Sequence, residues 1–218
     1  SARLYEFMHQ NPALEMHPVD VTNTPHLAGR NDHLHSINST LAVDLIGQCG
    51  SESIGSAPYS GSGGQADFVR AANISEGGKS FIVVPSTAKN GSVSRIVPTL
   101  AAGTHVTTSK NDVGYVVTEY GVASLRGKTA RQRAGALIEI AHPDHRAELL
   151  AAAKARHYVY LDQALPRRAA YPDELERHVS LVDGTLALIR PLRLTDDTLI
   201  KDFLYHAGEH SIQQRFLG

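Results

Sequence analysis

The stretch YSGSGGQADFVRAANISEGGKSFIVVP, residues 59–85, decides the fold class of this chain. Three glycines fall within 61–64, a helix-forming run covers 65–75, and a short apolar run of β-forming residues covers 80–85. So many glycines cost backbone entropy, so they indicate either a tight connection or a ligand that approaches the backbone closely. A glycine loop, a helix and a buried strand in this order predict an α/β layer.

The same alternation of strands and helices continues along the chain. The other predicted strands are LHSINSTLAVDLIGQCG (34–50), THVTTS (104–109) and YVVTEY (115–120). The first of these stretches forms either one long strand or two short strands in a hairpin. The other predicted helices are 3–9, 129–141 with Thr129 as N-cap, and 143–157 with Pro143 in its first turn. With an extended proline-rich stretch at 11–26, these elements predict an α/β domain that ends near residue 157.

Beyond residue 157 the sequence pattern changes. Residues 158–184 carry prolines and arginines with a short helix and are predicted to be a linker. Residues 185–218 are predicted to form a strand, a turn and a helix with Thr195 as its N-cap. The apolar face of this helix consists of Leu199, Ile200, Phe203 and Leu204. One strand and about two helices cannot close a core. This incomplete C-terminal α/β segment must therefore pack on the main domain, pair with another chain, or open a further domain.

Composition and charge exclude several functional classes. The formal net charge of −1 gives no argument for binding nucleic acid or a membrane surface. Cys49 is the single cysteine, so the chain forms no internal disulfide and fits a reducing compartment. No apolar run approaches the roughly 18 residues of a membrane span. We therefore expect a cytoplasmic protein, and the start at Ser1 in a helix-like stretch leads us to expect a piece of a longer polypeptide.

The sequence resembles two well-known motifs but lacks the spacing that each requires. A P-loop needs four residues between its two glycines, whereas Gly121 and Gly127 enclose five. The nucleophile elbow of serine hydrolases needs a residue between its first glycine and its serine, whereas Ser62 directly follows Gly61. A nucleoside triphosphatase and a serine hydrolase are therefore disfavoured.

Two histidine pairs have spacings that could serve a metal ion. His33 and His35 would share one face of a strand, and His142 and His145 would meet across a helical turn. Neither pair is accompanied by a cysteine cluster or an HExxH motif. Surface or capping roles are the favoured interpretation, and no metal is predicted.

The glycine string remains as the candidate binding site. Gly61, Gly63 and Gly64 precede a predicted helix start. Free backbone N–H groups there, with the helix dipole behind them, can hold an oxyanion or a phosphate. Asp67 complements the same dipole and could merely stabilise the turn. The residues themselves leave a tight connection and an anion site about equally open.

Six ordered stretches, of which the glycine string is one, carry a family resemblance. They are VDVTNTP (19–25), SINSTLAVDLIGQ (36–48), YSGSGGQADFVRAA (59–72), GGKSFIVVPSTAKNGSVSRIVP (77–98), VVTEYGVASLRGKTARQRA (116–134) and AHPDHRAELL (141–150). This series resembles the C-terminal half of the acetyl-CoA hydrolase/transferase family, which includes acetate, butyrate and 4-hydroxybutyrate CoA-transferases. The likeness covers residues 3–156.

The resemblance implies a fold and a reaction. The fold is a CoA-transferase-like layered domain with a mainly parallel sheet flanked by helices. Family members move acyl groups between coenzyme A and small carboxylates, without a metal, through a glutamyl-CoA thioester. The glutamate lies in an N-terminal half that this chain lacks, so we expect the chain alone to be inactive. The family also implies a homo-oligomer.

Roles for single residues follow from the same resemblance. Gly61, Gly63 and Gly64 are expected to lie against the coenzyme A thioester, with the Gly64 N–H favoured as donor to the tetrahedral oxyanion. Gln65 orients this loop or touches the substrate. Lys89 pairs with a coenzyme A phosphate, unless it is a solvated loop lysine.

The family pattern also assigns an asparagine and several glutamates. Asn23 donates an amide hydrogen bond to the acyl carboxylate, unless it only forms a turn. Glu119 and Tyr120 are expected to shape a strand end beside the site rather than do chemistry. Glu15, Glu52 and Glu119 all match the family's ordinary C-terminal pattern, so none is a candidate nucleophile.

The end of the chain carries a second resemblance. LALIRPLRLTDDTLIKDFLYHAGEHSIQQRFLG (186–218) resembles the opening of a GNAT-type acetyltransferase domain, without that family's pyrophosphate loop. Residues 185–218 are therefore predicted to be the truncated start of such a domain. The alternative function is a non-catalytic acyl-CoA-binding regulatory module attached to an acetyltransferase.

Overall fold

The structure, a computed structural model, describes residues 1–165, 172–192, 196–206 and 208. The chain divides into two compact units, Ser1–Pro166 and Arg167–Gly218, and each is described by itself. The domain border predicted from the sequence lies at residue 157. Within the described ranges, no helix is both long enough and apolar enough to cross a bilayer.

The elements are numbered along the chain. The helices of the first unit are α1 (Ala2–Met8), α2 (Val19–Thr22), α3 (Pro25–Ala28), α4 (Gln65–Ile74), α5 (Ala130–Ile140) and α6 (Pro143–Ala155). Its strands are β1 (His35–Ser39), β2 (Ala42–Asp44), β3 (Cys49–Gly50), β4 (Ser53–Ile54), β5 (Ala57–Pro58), β6 (Lys79–Val83), β7 (Thr87–Ala88), β8 (Val93–Ser94), β9 (Ile96–Val97), β10 (Tyr115–Thr118) and β11 (Gly121–Ser124). The second unit contains β12 (Arg177–Ser180), β13 (Leu186–Ile189), α7 (Asp197–His206) and a short 3-10 helix (Asp173–Leu175).

The largest sheet of the first unit has the strand order β1–β6–β10–β11. Strands β1, β6 and β10 are parallel, and β11 is the antiparallel partner of β10. The mainly parallel α/β architecture predicted for this domain is thereby confirmed. Ile37 lies opposite Phe81, and Phe81 lies opposite Tyr115, so these side chains form one row across the sheet.

The core of the first unit lies between one face of this sheet and the helices. The sheet contributes Ile82, Val116 and Ala123, α4 contributes Val69, and α5 contributes Leu137. All five side chains are at most 2% exposed. A fully buried aliphatic side chain contributes about 1.5–3 kcal/mol, so this layer holds the start of α4 firmly against the sheet.

The other face of the same sheet is open. Side chains alternate between the two faces along each strand, so the neighbours of the buried residues form this second face. Ile37 is 71% exposed, Val122 is 54% exposed and Val83 is 39% exposed. Such exposure is unusual, because parallel sheets are normally covered on both faces.

A smaller sheet with the order β3–β2–β9 completes the core. Val43, Cys49 and Ile96 of these strands are fully buried. Burial, with a smaller effect from the charge of Asp44, strongly raises the pKa of the Cys49 thiol. The single cysteine is therefore an inert core residue.

The sequence prediction for residues 34–50 is wrong in its topology. β1 and β2 are not a hairpin, because β1 pairs with β6 whereas β2 pairs with β3 and β9. Thr40 stands where the chain leaves the first sheet, and its hydroxyl bonds the carbonyl oxygens of Ala42 and Gly50. Alternation indicates strands but does not identify their partners.

Two further local predictions need correction. Residues 104–109 meet β3 through a single bridge between Cys49 and Thr108 instead of forming a strand. The neighbouring Thr107 hydroxyl accepts from the Ser51 N–H. The stretch 11–26 is not wholly extended, because it contains α2 and the start of α3. Proline at an N-cap or first helical position lacks only an N–H that would be unpaired anyway, so prolines begin these helices.

The longer helices agree with the sequence prediction, and two of them have capped starts. The Thr129 hydroxyl accepts from the Gln132 N–H, and the Gln132 side chain accepts from the Thr129 N–H, which completes a capping box. Pro143 opens α6 after His142, whose Nδ1 accepts from the Asp144 N–H at 3.3 Å.

The second unit contains the antiparallel pair β12–β13 and the helix α7. β12 lies within the predicted linker. Arg190 and Asp196 form a bidentate ion pair, with both N–O distances at 2.7 Å. Leu199 and Phe203 of α7 are 63% and 54% exposed. The predicted cap Thr195 lies outside the described residues.

Candidate functional site

The glycine loop leads from the β4–β5 hairpin into α4 and is largely exposed. Gly63 has a φ of +56°, a left-handed conformation that suits glycine. Gly64 is the N-cap residue of α4, and no described side chain caps this helix. The first N–H groups of a helix have no partner inside it, so they face the loop with the positive end of the dipole. A Cβ at Gly61 or Gly63 would meet no described atom within 4 Å, which leaves open space beside the backbone.

Asn23 lies directly against this loop. A Cβ on Gly64 would lie 2.7 Å from Asn23 Nδ2 and 3.1 Å from the ring of Phe68, so glycine makes room for both. The Thr22 hydroxyl donates to Asn23 Oδ1 at 3.0 Å. This bond occupies the oxygen end of the amide and turns the NH2 end toward Gly64. The structure therefore brings together two candidate residues that are distant in sequence.

Gln65 points into the protein. Its side chain is buried, and its Nε2 donates to Thr108 Oγ1 at 3.0 Å. The Thr108 N–H donates in turn to the carbonyl of Cys49. These bonds tie the start of α4, and with it the end of the glycine loop, to β3.

Lys89 is exposed at the turn of the β7–β8 hairpin. Lys89 and Asn90 have φ values of +48° and +55°. Such conformations cost non-glycine residues roughly 1–3 kcal/mol each and persist only where neighbours hold them. The Ser92 hydroxyl donates to the Lys89 carbonyl at 2.8 Å, and His145 Nε2 lies 3.0 Å from the Gly91 carbonyl oxygen. The turn that presents Lys89 is therefore held at two points.

A carboxylate holds the base of the same hairpin. Ser86 donates to Glu119 through its N–H at 2.9 Å and through its hydroxyl at 2.5 Å. Desolvation raises the pKa of the Glu119 carboxyl, but the bonds from Ser86 and the nearby His142 outweigh it and lower the pKa below its ordinary value. Tyr120 stands beside it, with its ring edge-on to His142 at 5.3 Å. These contacts join the end of β10 to the β7–β8 hairpin and to the N-cap residue of α6.

The structure places the two histidine pairs differently. His33 precedes β1 and has a φ of +56°, so it does not share a strand face with His35, contrary to the sequence prediction. His142 and His145 do meet across a helical turn, with ring centroids 6.0 Å apart. Their ring nitrogens serve the α6 cap and the Gly91 carbonyl. In the part of the chain that the structure describes, no group of three or more His, Cys, Asp or Glu could hold a metal ion.

Sequence reasoning missed the residues that support these candidates. Thr22 adjoins Asn23 within VTNTP, so its supporting role was detectable from the motif. Thr108 and Ser86 bond partners on distant elements. No local pattern reveals such pairings, because they arise only when the sheets assemble.

The fold and the loop together define a class: a layered α/β domain with a glycine loop at a helix start, suited to hold a negatively charged oxygen. The acetyl-CoA hydrolase/transferase C-terminal domain profile matches residues 1–153. The chain belongs to the acetyl-CoA hydrolase/transferase family and contains its C-terminal domain.

Known relatives share this domain at high sequence identity. The succinyl-CoA:cyclohexane-1-carboxylate CoA transferase of Geobacter metallireducens is 68% identical over 154 residues, which cover 71% of this chain and 35% of that protein. The 4-hydroxybutyrate coenzyme A transferase of Clostridium kluyveri is 56% identical over 154 residues, which cover 71% of this chain and 36% of that protein. This chain thus spans about a third of the length of these relatives.

Solved structures show the same fold. RipA from Yersinia pestis superposes with a TM-score of 0.67 at 48% identity, covering 72% of this chain and 35% of that one. The 4-hydroxybutyrate CoA-transferase from Porphyromonas gingivalis superposes with a TM-score of 0.58 at 49% identity, covering 72% of this chain and 35% of that one. The CoA-transferase-like fold expected from the six sequence stretches is confirmed.

Proposed function

We propose that this chain is the coenzyme A-binding part of an acyl-CoA hydrolase or CoA-transferase, which moves acyl groups between coenzyme A and small carboxylates. The observation that carries the proposal is the close approach of the Asn23 amide to Gly64 at the start of α4, where a Cβ would lie 2.7 Å from Asn23 Nδ2. Two relatives of high identity are named for CoA transfer, which supports the same reaction class.

The glycine loop supplies the oxyanion site in this proposal. Attack on a thioester carbonyl places negative charge on its oxygen, and N–H donors already in position stabilise that charge. The Gly64 N–H is the principal donor, while Gly61 and Gly63 let the thioester approach the backbone. The helix behind the loop adds a favourable dipole.

Asn23 and Lys89 hold the two ends of the substrate. The NH2 group of Asn23, turned toward the loop by Thr22, donates to the acyl carboxylate. The Lys89 ammonium pairs with a coenzyme A phosphate from its braced turn, supported by the bonds from Ser92 and His145. Gln65 keeps the loop in register through Thr108.

The nucleophilic glutamate lies in the polypeptide that precedes this domain in family members. Within this chain, the three glutamates that match the family's ordinary C-terminal pattern already have partners. Glu15 pairs with His17, Glu52 accepts from Thr107, and Glu119 accepts from Ser86. The chain by itself therefore binds coenzyme A without turning it over.

Three finer features complete the proposal. The protein acts in the cytoplasm, which its single buried cysteine favours. The working enzyme is a homo-oligomer, as the family resemblance implies. The strand and helix at β13 and α7 open a GNAT-like domain, which their order along residues 185–218 supports.

A chimaera tests the function. Residues 1–153 of this chain replace the matching domain of the Geobacter relative, and CoA transfer from succinyl-CoA to cyclohexane-1-carboxylate is measured. We expect transfer within about tenfold of the parent enzyme, because a domain of this identity preserves the site geometry, and none from the 218-residue chain alone. A folded chimaera without transfer, or turnover by the chain alone, would contradict the proposal.

A further inference from the structure

The open face of the main sheet is mostly apolar. Ser39, opposite Val83, and Ser124, opposite Tyr115, lie at its two edges. Its apolar side chains are exposed or half-buried and come from alternate residues of four adjacent strands: Ile37, Phe81, Val83, Tyr115, Val117 and Val122. We call this set the open sheet face. The first row across it joins Ile37, Phe81 and Tyr115, and the rings of Phe81 and Tyr115 stack with centroids 5.2 Å apart.

The second row extends the same surface to the far edge. Val83 lies opposite Val117, and Val117 lies opposite Val122. His35 and Lys79 stand opposite each other and supply polar groups at one margin. An apolar surface of this extent with a polar margin marks a contact site rather than a solvent face.

The parallel direction of the strands indicates which kind of element packs on such a face. β1, β6 and β10 are parallel, and parallel sheets normally carry helices on both faces. α4 and α5 cover one face through Val69 and Leu137. β1 is also an edge strand, paired with β6 on one side, so the sheet is unfinished along its edge as well as on its face.

We propose that the open sheet face binds amphipathic helices of the polypeptide that precedes this domain in CoA-transferases. This inference rests on the proposed function. The matched segment is 35% of the Geobacter relative and belongs to a C-terminal domain, so about two thirds of that protein's length lies outside it.

The arm at the start of the chain supports this occupant. Within Ala2–Met8, the whole of α1, every residue is exposed, including Tyr5 at 71% and Phe7 at 62%. The arm precedes β1, the unfinished edge strand, in the chain, with α2 and α3 between them. A polypeptide that precedes the arm can therefore cover apolar surface on the arm and on the sheet.

Cysteine labelling tests the inference in the whole chain. Ile37→Cys and Val122→Cys place thiols on the open sheet face, and Ile54→Cys places a control thiol on β4, where Ile54 is 62% exposed. Cys49 is fully buried and leaves a clean background. The rate of reaction with a maleimide is read for each peptide by mass spectrometry, in the 218-residue chain and in the chimaera.

We expect all three thiols to react rapidly in the 218-residue chain. In the chimaera, Ile37→Cys and Val122→Cys should react at least about tenfold more slowly, because reaction then requires local opening, while Ile54→Cys keeps its rate. Slow labelling of the open sheet face in the 218-residue chain would show that another part of this chain covers it. Labelling that slows as the protein concentration rises would show that a second copy covers it. Either result would overturn the inference.

The two proposals fail separately. A chimaera that transfers CoA but still labels rapidly at Ile37→Cys overturns the inference and leaves the proposed function intact. If the chimaera does not fold, the natural Geobacter enzyme supplies the second measurement, through cysteines at the positions that align with Ile37, Val122 and Ile54. Rapid labelling of the first two positions in that folded enzyme overturns the inference equally.

Discussion

Gly64 is the residue at which backbone geometry and the proposed chemistry meet. Its lack of a Cβ lets the Asn23 amide approach the start of α4. The glycine string draws attention to this place from sequence alone, but by itself it fits a tight connection as well as an anion site. The partnership with Asn23 is different, since it depends on how distant stretches of the chain fold together. Family resemblance pointed to Asn23, and the local sequence did not.

Gly64→Ala should impair transfer much more than folding. The new methyl group displaces the flexible tip of Asn23 and presses on Phe68. We expect kcat of the chimaera to fall about 10²-fold and the free energy of unfolding to fall by about 1 kcal/mol. Gly135→Ala in α5 is the control, because its Cβ would meet no described atom within 4 Å. Full activity of Gly64→Ala would refute the role of this contact.

Ser86→Ala should produce a pH-dependent loss of stability. The Ser86 hydroxyl helps to lower the pKa of Glu119, and a lowered carboxyl pKa stabilises the fold above the unfolded pKa. We expect the free energy of unfolding to fall by about 1 kcal/mol at about pH 7. The loss should shrink as the pH falls below about 4, where the carboxyl becomes protonated.

Urea unfolding at several pH values measures this effect. Ser92→Ala is the control, because the Ser92 hydroxyl bonds the neutral carbonyl of Lys89, and its cost should not vary over the same range. A Ser86→Ala cost that stays constant down to acidic pH would show that the Glu119 charge plays no part.

The sequence indicates where helices lie more reliably than it indicates which strands pair. α5 and α6 carry their own start signals in sequence, namely the capping box at Thr129 and the proline at Pro143. The sequences of β1 and β2 show only an alternation of apolar and polar residues. Nothing local indicates that the two strands belong to different sheets. The exposure of the open sheet face has no local signal in the sequence either, because it depends on which other elements of the fold cover the sheet.

Thr129→Ala should weaken α5 by removal of its capping box. We expect the free energy of unfolding to fall by about 1 kcal/mol, since an orphan N–H of the first turn loses its acceptor. Thr129→Ser keeps an acceptor oxygen and should restore most of the loss. Thr99→Ala, at an exposed loop position, is the control. Equal stability of Thr129→Ala and the parent chain would show that the cap contributes nothing to the free energy of unfolding.

At the scale of the whole molecule, the candidate site lies entirely in one unit. Asn23, Gly64 and Lys89 all fall within Ser1–Pro166. The family profile ends at residue 153, inside the same unit. We therefore expect coenzyme A to bind the first unit without any contribution from the second.

Truncation after Pro166 tests this division. The shortened chain should bind coenzyme A with an affinity within about twofold of the full chain, because every proposed contact is retained. Calorimetric titration of both chains under one condition measures the ratio. Loss of binding on truncation would assign part of the site to residues 167–218.

Calorimetric titration of coenzyme A into the 218-residue chain beside its Gly64→Val variant shows whether the glycine loop binds the coenzyme. We expect saturable one-to-one binding by the parent chain and at least about tenfold weaker binding by the variant, a difference of about 1.4 kcal/mol or more. Equal binding by the two proteins, or no binding by the parent chain, would contradict the claim that the glycine loop is the coenzyme A site.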